Sequence, residues 1–96
     1  MTVFAVEYVY DAESADVRAA TRPSHREWTA GLAEEGMLLA SGPYGDGAGA
    51  LLIFKAADEN ALNDILKQDP FAAAGVISGT RTTEWAPVTG LLADHA

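Results

Sequence analysis

Two histidines are the first candidates for chemistry in this sequence, because histidine takes up and releases protons near neutral pH. His95 is the next-to-last of 96 residues, and chain ends are usually poorly fixed. His25 falls in the first turn of a predicted helix, near the face that carries Trp28. Two interpretations of His25 stay open: a general base or acid, and a half-buried helix residue that packs on Trp28.

Asp69 is the candidate partner of such a histidine. Its carboxylate could accept a hydrogen bond from one imidazole nitrogen, fix the tautomer and make the other nitrogen more basic. The sequence Asp69-Pro70-Phe71 also suits an N-cap, in which Asp caps a short helical turn and Pro takes its first position. Both interpretations stay open, because spacing along the chain does not show that residues 25 and 69 meet.

Residues near these two could bind a substrate. Arg22 lies three residues before His25 and could hold a carboxylate or phenolate, or form a surface ion pair. Backbone N–H groups around Ser41-Gly42-Pro43 could face an anion, although the glycines of this region also suit a hairpin turn. Trp28 and Phe71 could form walls of the same pocket.

Several other kinds of site are excluded or disfavoured. The chain has no cysteine, which excludes disulfides, thiolate metal sites and cysteine nucleophiles. It has no HExxH motif, histidine cluster or EF-hand loop, so no metal site is predicted, and Ser41 lacks the GxSxG context of a serine hydrolase. The proton chemistry open to His25 requires no cofactor.

The charge and the N-terminal sequence indicate where the protein works. Its formal net charge of −8, from 14 acidic and 6 basic residues, disfavours binding to nucleic acid or to anionic membrane surfaces. No signal peptide or membrane-spanning run is visible. Together with the absence of cysteine, these features favour a cytoplasmic location.

The elements that must position these residues follow from hydrophobic periodicity and turn residues. Four segments rich in β-branched, aromatic or other apolar residues are predicted strands: residues 3–10, 37–40, 50–55 and 76–85. A first helix is predicted from residues 22–24, with a capping box at Ser24 and Glu27, to Gly36. A second helix is predicted from Asp58 to Gln68, and residues 11–21 are predicted to form a loop.

This β-α-β-β-α-β order predicts an α+β, ferredoxin-like fold with a four-stranded antiparallel sheet and two helices on one face. Two such helices lie side by side and run in roughly opposite directions, which makes contact between His25 and Asp69 possible. The uncovered sheet face would carry apolar residues such as Val3 and Val9. An exposed apolar face usually has a partner, so we expect a homodimer of the dimeric α/β-barrel type.

Several short motifs, in their order and spacing, resemble the YCII-related domain family. They are Arg22-Pro23-Ser24-His25-Arg26, Gly36-Met37-Leu38-Leu39-Ala40-Ser41-Gly42-Pro43, Gly49 before Leu-Leu-Ile-Phe, Asp69-Pro70-Phe71, Gly75 and Trp85. The resemblance implies a ferredoxin-like fold, commonly dimeric, for the domain predicted over residues 1–86. Residues 87–96 are predicted from the sequence pattern to form a C-terminal tail. It also implies an active site built on a His and an Asp, which carry over to His25 and Asp69.

The function predicted from the residues and the resemblance together is proton abstraction or transfer on a small molecule, with His25 as the base and Asp69 orienting it. A related family member is a dehydrochlorinase of a chlorinated hydroxyquinol, which gives lyase chemistry as a precedent and leaves isomerase chemistry open. The alternative is a non-catalytic dimeric module that binds a ligand or another protein.

Overall fold

Four strands and three α-helices follow one another in the computed structural model, which describes residues 1–95. The elements are β1 Thr2–Tyr10, α1 Ala15–Glu34, β2 Leu38–Pro43, β3 Gly49–Ala56, α2 Glu59–Leu66, α3 Pro70–Ala73 and β4 Ile77–Glu84, with a 3₁₀ turn at Ala93–His95. The strands pair in the order β2-β3-β1-β4, and every pair is antiparallel. The predicted α+β class with a four-stranded antiparallel sheet is confirmed.

One face of the sheet carries the main core. Side chains alternate along β1, so Phe4, Val6 and Tyr8 point to the same face and are all buried. Phe4 pairs with Phe54 and Val6 with Leu52 of β3. This core includes Leu62 of α2, and Trp28 and Leu32 of α1 pack against it. Both longer helices therefore cover the same sheet face.

The first helix begins earlier than the sequence pattern predicts. Helix α1 starts at Ala15, so the predicted loop over residues 11–21 is wrong beyond residue 14. The Ala-rich segment favours helix, and the Ser14 carbonyl accepts the first helical hydrogen bond, from Arg18 at 2.8 Å. The predicted capping box is also wrong, because Ser24 and Glu27 lie inside α1.

Pro23 consequently lies inside a helix of 20 residues. A proline in this position removes one i→i−4 hydrogen bond and costs about 3 kcal/mol in an unsupported helix. Packing of Trp28 and Leu32 against the sheet offsets that cost in α1. The sequence pattern placed Pro23 at a helix start because it considers local preference without this tertiary packing.

The predicted ends of the helices are largely confirmed. After α1, Gly36 has a φ of +79°, and Met37 N–H donates to the Leu32 carbonyl at 3.0 Å, as in a Schellman motif. Asp58 caps α2 by accepting from Ala61 N–H at 2.8 Å. Helix α2 ends at Leu66, two residues before the predicted Gln68.

The β2–β3 hairpin brings the Ser41-Gly42-Pro43 segment into the sheet. Strand β2 was predicted to end at residue 40 but continues through Pro43, and its edge position tolerates a proline that cannot donate a ladder hydrogen bond. The predicted turn after it is confirmed, with Gly47 N–H donating to the Tyr44 carbonyl at 2.9 Å. Gly49 then opens β3, where any Cβ would clash with the Tyr8 carbonyl oxygen.

The segment after β4 begins at residue 85 and includes a buried Pro87. The boundary between domain and tail at residues 86 and 87 stays a prediction. Ala96, the last residue of that predicted tail, lies outside the described residues. No helix within residues 1–95 is long and apolar enough to cross a membrane.

Candidate active site

His25 and Asp69 form a hydrogen-bonded pair. The His25 Nδ1 atom lies 2.7 Å from Asp69 Oδ1, although the two residues are 44 positions apart in the chain. His25 lies in the middle of α1, and Asp69 lies at the N-terminus of α3, which packs against α1. The Asp69 side chain is fully buried and the His25 side chain is 14% exposed. The contact that the sequence left open is therefore present.

Asp69 is also the N-cap of α3, so its two proposed roles coexist. Its Oδ1 atom accepts a second hydrogen bond from Phe71 N–H at 2.9 Å, and Pro70 takes the first helical turn. The cap fixes the carboxylate relative to the backbone of α3. The local sequence therefore holds in place the group that the imidazole contacts.

Tyr8 holds the other carboxylate oxygen. Tyr8 lies on β1, and its hydroxyl donates to Asp69 Oδ2 at a distance of 2.8 Å. Burial and the adjacent charge of Asp69 raise the pKa of Tyr8, which keeps the hydroxyl protonated as a donor. The sequence analysis placed Tyr8 on the inward face but gave it no role. The missed signal is a tyrosine hydroxyl among buried apolar residues, which requires a partner.

Ring contacts and hydrogen bonding orient the His25 imidazole. The Phe71 ring stacks on it, with centroids 4.0 Å apart and planes within 5°. Because a carboxylate accepts hydrogen bonds, Asp69 favours the tautomer that carries the proton on Nδ1. The Nε2 atom is then left with a free lone pair, as a general base requires.

A cavity of about 330 Å³ lies beside this pair, within the size range of small-molecule sites. Most predicted site residues come together in its lining: Arg22, His25, Ser41, Gly42, Pro43 and Phe71. Trp28 is not among the lining residues; its ring packs instead near Phe54, with centroids 6.3 Å apart. The sequence analysis did not identify the remaining lining residues, which are Tyr10, Arg26, Thr29, Ala50 and Leu52.

The cavity is electropositive on one side. Arg22 and Arg26 lie four residues apart on α1, and among residues 1–95 no acidic residue lines the cavity with them. The Arg18 guanidinium lies 4.6 Å above the Tyr10 ring. Burial raises the pKa of Tyr10, opposed by the charges of Arg18 and Arg22, with Asp69 raising it further. Tyr10 is therefore a neutral hydroxyl in the lining at physiological pH.

The described residues offer no group suited to hold a metal ion. Within residues 1–95, no three His, Asp or Glu side chains come together. Every buried side-chain nitrogen or oxygen in this part of the chain has a hydrogen-bond partner. The arrangement is chemically a positioned imidazole beside a cavity with two guanidinium groups.

Known proteins resemble this chain in sequence and in fold. A model of the YCII-related domain matches residues 3–86. The 5-chloro-2-hydroxyhydroquinone dehydrochlorinase of Burkholderia phenoliruptrix, solved in complex with 2,5-dihydroxybenzoquinone, has 23% identity and a TM-score of 0.76, over 86% of this chain and 92% of that chain. No curated protein matches the chain.

A second solved structure, an antibiotic biosynthesis monooxygenase, has 16% identity and a TM-score of 0.57, over 93% of this chain and all of that chain. At these identities, both likenesses show a common fold and nothing more. The catalytic interpretation of the site therefore depends on its own geometry.

Proposed function

This chain belongs to the YCII-related domain family, and on that premise we propose that it is a small-molecule enzyme in which His25 transfers a proton. Asp69 orients the imidazole and balances its charge. One observation carries the proposal: Nδ1 of His25 is bound to a buried carboxylate, while the imidazole lines a cavity of small-molecule size.

The proposed step begins at an acidic C–H bond next to a carbonyl, as in a ketone or in the keto tautomer of a hydroxylated ring. Nε2 of His25 takes the proton, the C–H bond breaks, and its electron pair moves onto the carbonyl oxygen as an enolate. The Asp69 carboxylate stabilises the imidazolium that forms. In a lyase, the enolate then expels a leaving group with its electron pair; in an isomerase, Nε2–H returns the proton to another carbon. Neither route needs a cofactor.

We assign substrate binding to the other lining residues predicted from the sequence. Arg22 would hold an anionic oxygen, and the strand segment from Ser41 to Pro43 would bound the opposite wall. Phe71 would close one face of the imidazole by stacking. Trp28 lies 6.0 Å from His25 between ring centroids, and its role would be to support that ring instead of contacting the substrate.

Deuterium exchange into a panel of small carbonyl and hydroxyquinone compounds, followed by ¹H NMR in D₂O, tests the proposal without a known substrate. For the compound that exchanges fastest, His25→Gln is expected to lower the rate by about 10²–10⁴-fold. The matched control is His95→Gln, which changes the histidine in the C-terminal 3₁₀ turn and should exchange at the wild-type rate. An unchanged rate in His25→Gln would refute the catalytic role.

The alternative function, a dimeric module without catalysis, is favoured by the sheet face opposite the helices. Contrary to the prediction, part of that face is buried within the chain, since Val3 there is 3% exposed and Ile53 is 6% exposed. Three large apolar side chains are substantially exposed there: Val9 at 55%, Leu51 at 36% and Trp85 at 44%. We propose that a second copy of the chain covers this face. Homodimerisation is compatible with either function, so catalysis by His25 is what separates them.

Sedimentation of Leu51→Asp tests the homodimer, because a buried interfacial carboxylate without a partner strongly opposes association. Wild type is expected at twice the monomer mass and Leu51→Asp at the monomer mass. Val17→Asp is the matched control, since Val17 is similarly exposed, at 47%, but lies on α1. A monomeric wild type, or a dimeric Leu51→Asp, would contradict the proposed interface.

A further inference from the structure

The basic residues of this acidic chain are unevenly distributed. Three of the 6 lie on α1 at intervals of four residues: Arg18, Arg22 and Arg26. That spacing places them along one side of the helix. Arg22 and Arg26 line the cavity that contains His25. Positive charge is therefore concentrated at the proposed active site of a chain whose net charge is −8.

The three arginines differ in what they contact. Arg18 is engaged within the protein: its guanidinium lies over the Tyr10 ring, and its Nε donates to Ser14 Oγ at 3.0 Å. The ion pairs among residues 1–95 are His25–Asp69 and Lys67–Asp64. In this part of the chain, no carboxylate lies within ion-pair distance of Arg22 or Arg26, although the chain has 14 acidic residues.

The rest of the lining indicates what kind of molecule would fit the cavity beside the arginines. Ala50, Leu52 and Phe71 are buried apolar residues that give the cavity an apolar wall. The hydroxyls of Tyr10, Thr29 and Ser41 contribute neutral polar groups to the same lining. A ligand that matches this surface has an apolar body and an anionic oxygen at one end.

We propose that the substrate of His25 is a small organic anion, whose carboxylate or ionised enol or phenol oxygen is bound by Arg22 and Arg26. Its apolar body would lie against Ala50 and Leu52. Arg26, which the sequence analysis did not select, is then a specificity-determining residue for anionic over neutral substrates. The inference rests on the proposed function, since it names the substrate class of the same site.

The same two cations would assist the chemistry. Removing a proton from a substrate that is already an anion creates a second negative charge. Guanidinium groups beside the cavity stabilise that charge as it develops. Arg22 is half-buried and Arg26 is exposed, so Arg22 is expected to contribute more, because an exposed charge is screened by solvent and salt.

A titration of the ¹⁵N-labelled protein with benzoate and with its neutral isostere benzamide tests the anion site. Saturable shifts of the Ala50 and Leu52 amides are expected with benzoate, at an affinity about tenfold above that for benzamide. Raising the salt concentration should weaken benzoate binding and leave benzamide binding unchanged. Equal affinities, or no saturable shift with benzoate, would overturn the inference.

Charge-removing variants locate the effect. Arg26→Gln is expected to weaken benzoate binding about threefold and Arg22→Gln about tenfold. Lys67→Gln, which makes the same charge change at a 77% exposed side chain after α2, is the matched control and should bind like wild type. Equal losses in Arg26→Gln and Lys67→Gln would show that only net charge matters, and would overturn the role of Arg26.

Failure of the proposed function is measured separately. It appears as unchanged deuterium exchange in His25→Gln, whatever the benzoate affinity. The same variant is expected to bind benzoate within about threefold of wild type, because both arginines are present. Loss of benzoate binding in His25→Gln would instead overturn the assignment of the anion to the arginines.

Discussion

Two aspartates in this chain make the same local contact in different surroundings. Asp58 caps α2 by accepting from Ala61 N–H, and Asp69 caps α3 by accepting from Phe71 N–H. Asp58 is exposed, and within residues 1–95 its side chain makes no hydrogen bond except the cap. Asp69 is buried, and its carboxylate also forms hydrogen bonds with the Tyr8 hydroxyl and the His25 imidazole. A capping residue therefore becomes a candidate catalytic residue when tertiary packing supplies further hydrogen-bond donors.

The largest expected difference between the two caps is in stability. Asp69→Ala removes the cap and leaves the buried Tyr8 hydroxyl unpaired, so the free energy of unfolding should fall by about 3 kcal/mol. Asp58→Ala removes an exposed cap alone and should cost about 1 kcal/mol. Urea unfolding followed by circular dichroism measures both. Equal losses would mean that burial adds nothing to the Asp69 contacts.

The second largest expected difference between the two caps is in the rate of proton exchange. In Asp69→Asn, the Phe71 N–H should keep the amide oxygen at the Oδ1 position, with Tyr8 accepting from the amide nitrogen. The His25 tautomer is then retained while the charge is lost, and proton exchange should slow by about 10²-fold. Asp58→Asn is the control and should exchange as wild type does. A wild-type rate in Asp69→Asn would show that the carboxylate charge does not contribute.

Two tyrosine variants test how much burial increases the contribution of a tyrosine–carboxylate hydrogen bond to stability. Tyr8→Phe leaves buried Asp69 Oδ2 without a donor and should lower the free energy of unfolding by about 2 kcal/mol. Tyr44→Phe removes a similar hydroxyl contact, 2.7 Å from Glu7 Oε1 at the surface, and should cost much less. Thermal or urea denaturation of both variants is the measurement. Comparable losses would argue against the buried hydrogen bond as a source of stability.

The smallest expected effect is at alkaline pH. Burial and Asp69 raise the pKa of folded Tyr8, while an unfolded tyrosine ionises near pH 10. Above that pH the unfolded state loses a proton that the folded state keeps, so stability should fall by about 1.4 kcal/mol by pH 11. In Tyr8→Phe this part of the decline should disappear. A decline of the same size in that variant would assign it to other groups.

The sequence predicted the local part of this site better than the tertiary part. The Asp69-Pro70-Phe71 cap depends on neighbouring residues, so it was found directly. The contact with His25 joins two distant segments, and spacing alone could not establish it. The pattern also predicted that α1 begins at residues 22–24, because local preference does not include packing against the sheet.

The sequence pattern missed the roles of some residues for the same reason, because those roles depend on tertiary packing. Tyr8 was placed correctly on the inward face, but its hydrogen bond depends on where α3 lies above β1. Arg26 was quoted only within a motif, because its nearness to the cavity depends on how α1 crosses β2 and β3. The sequence pattern placed Trp28 on the same helix face as His25, yet its indole ring packs near Phe54 in the core.

Pro23 has a consequence for motion within α1. It has no N–H, so the carbonyl of Ala19 lacks its usual helical partner, and the helix can bend there at lower cost. Arg22 precedes this point and Arg26 follows it, so bending changes the distance between their guanidinium groups. The spacing of the two groups proposed to hold one ligand therefore depends on the backbone at Pro23 as well as on their own side chains.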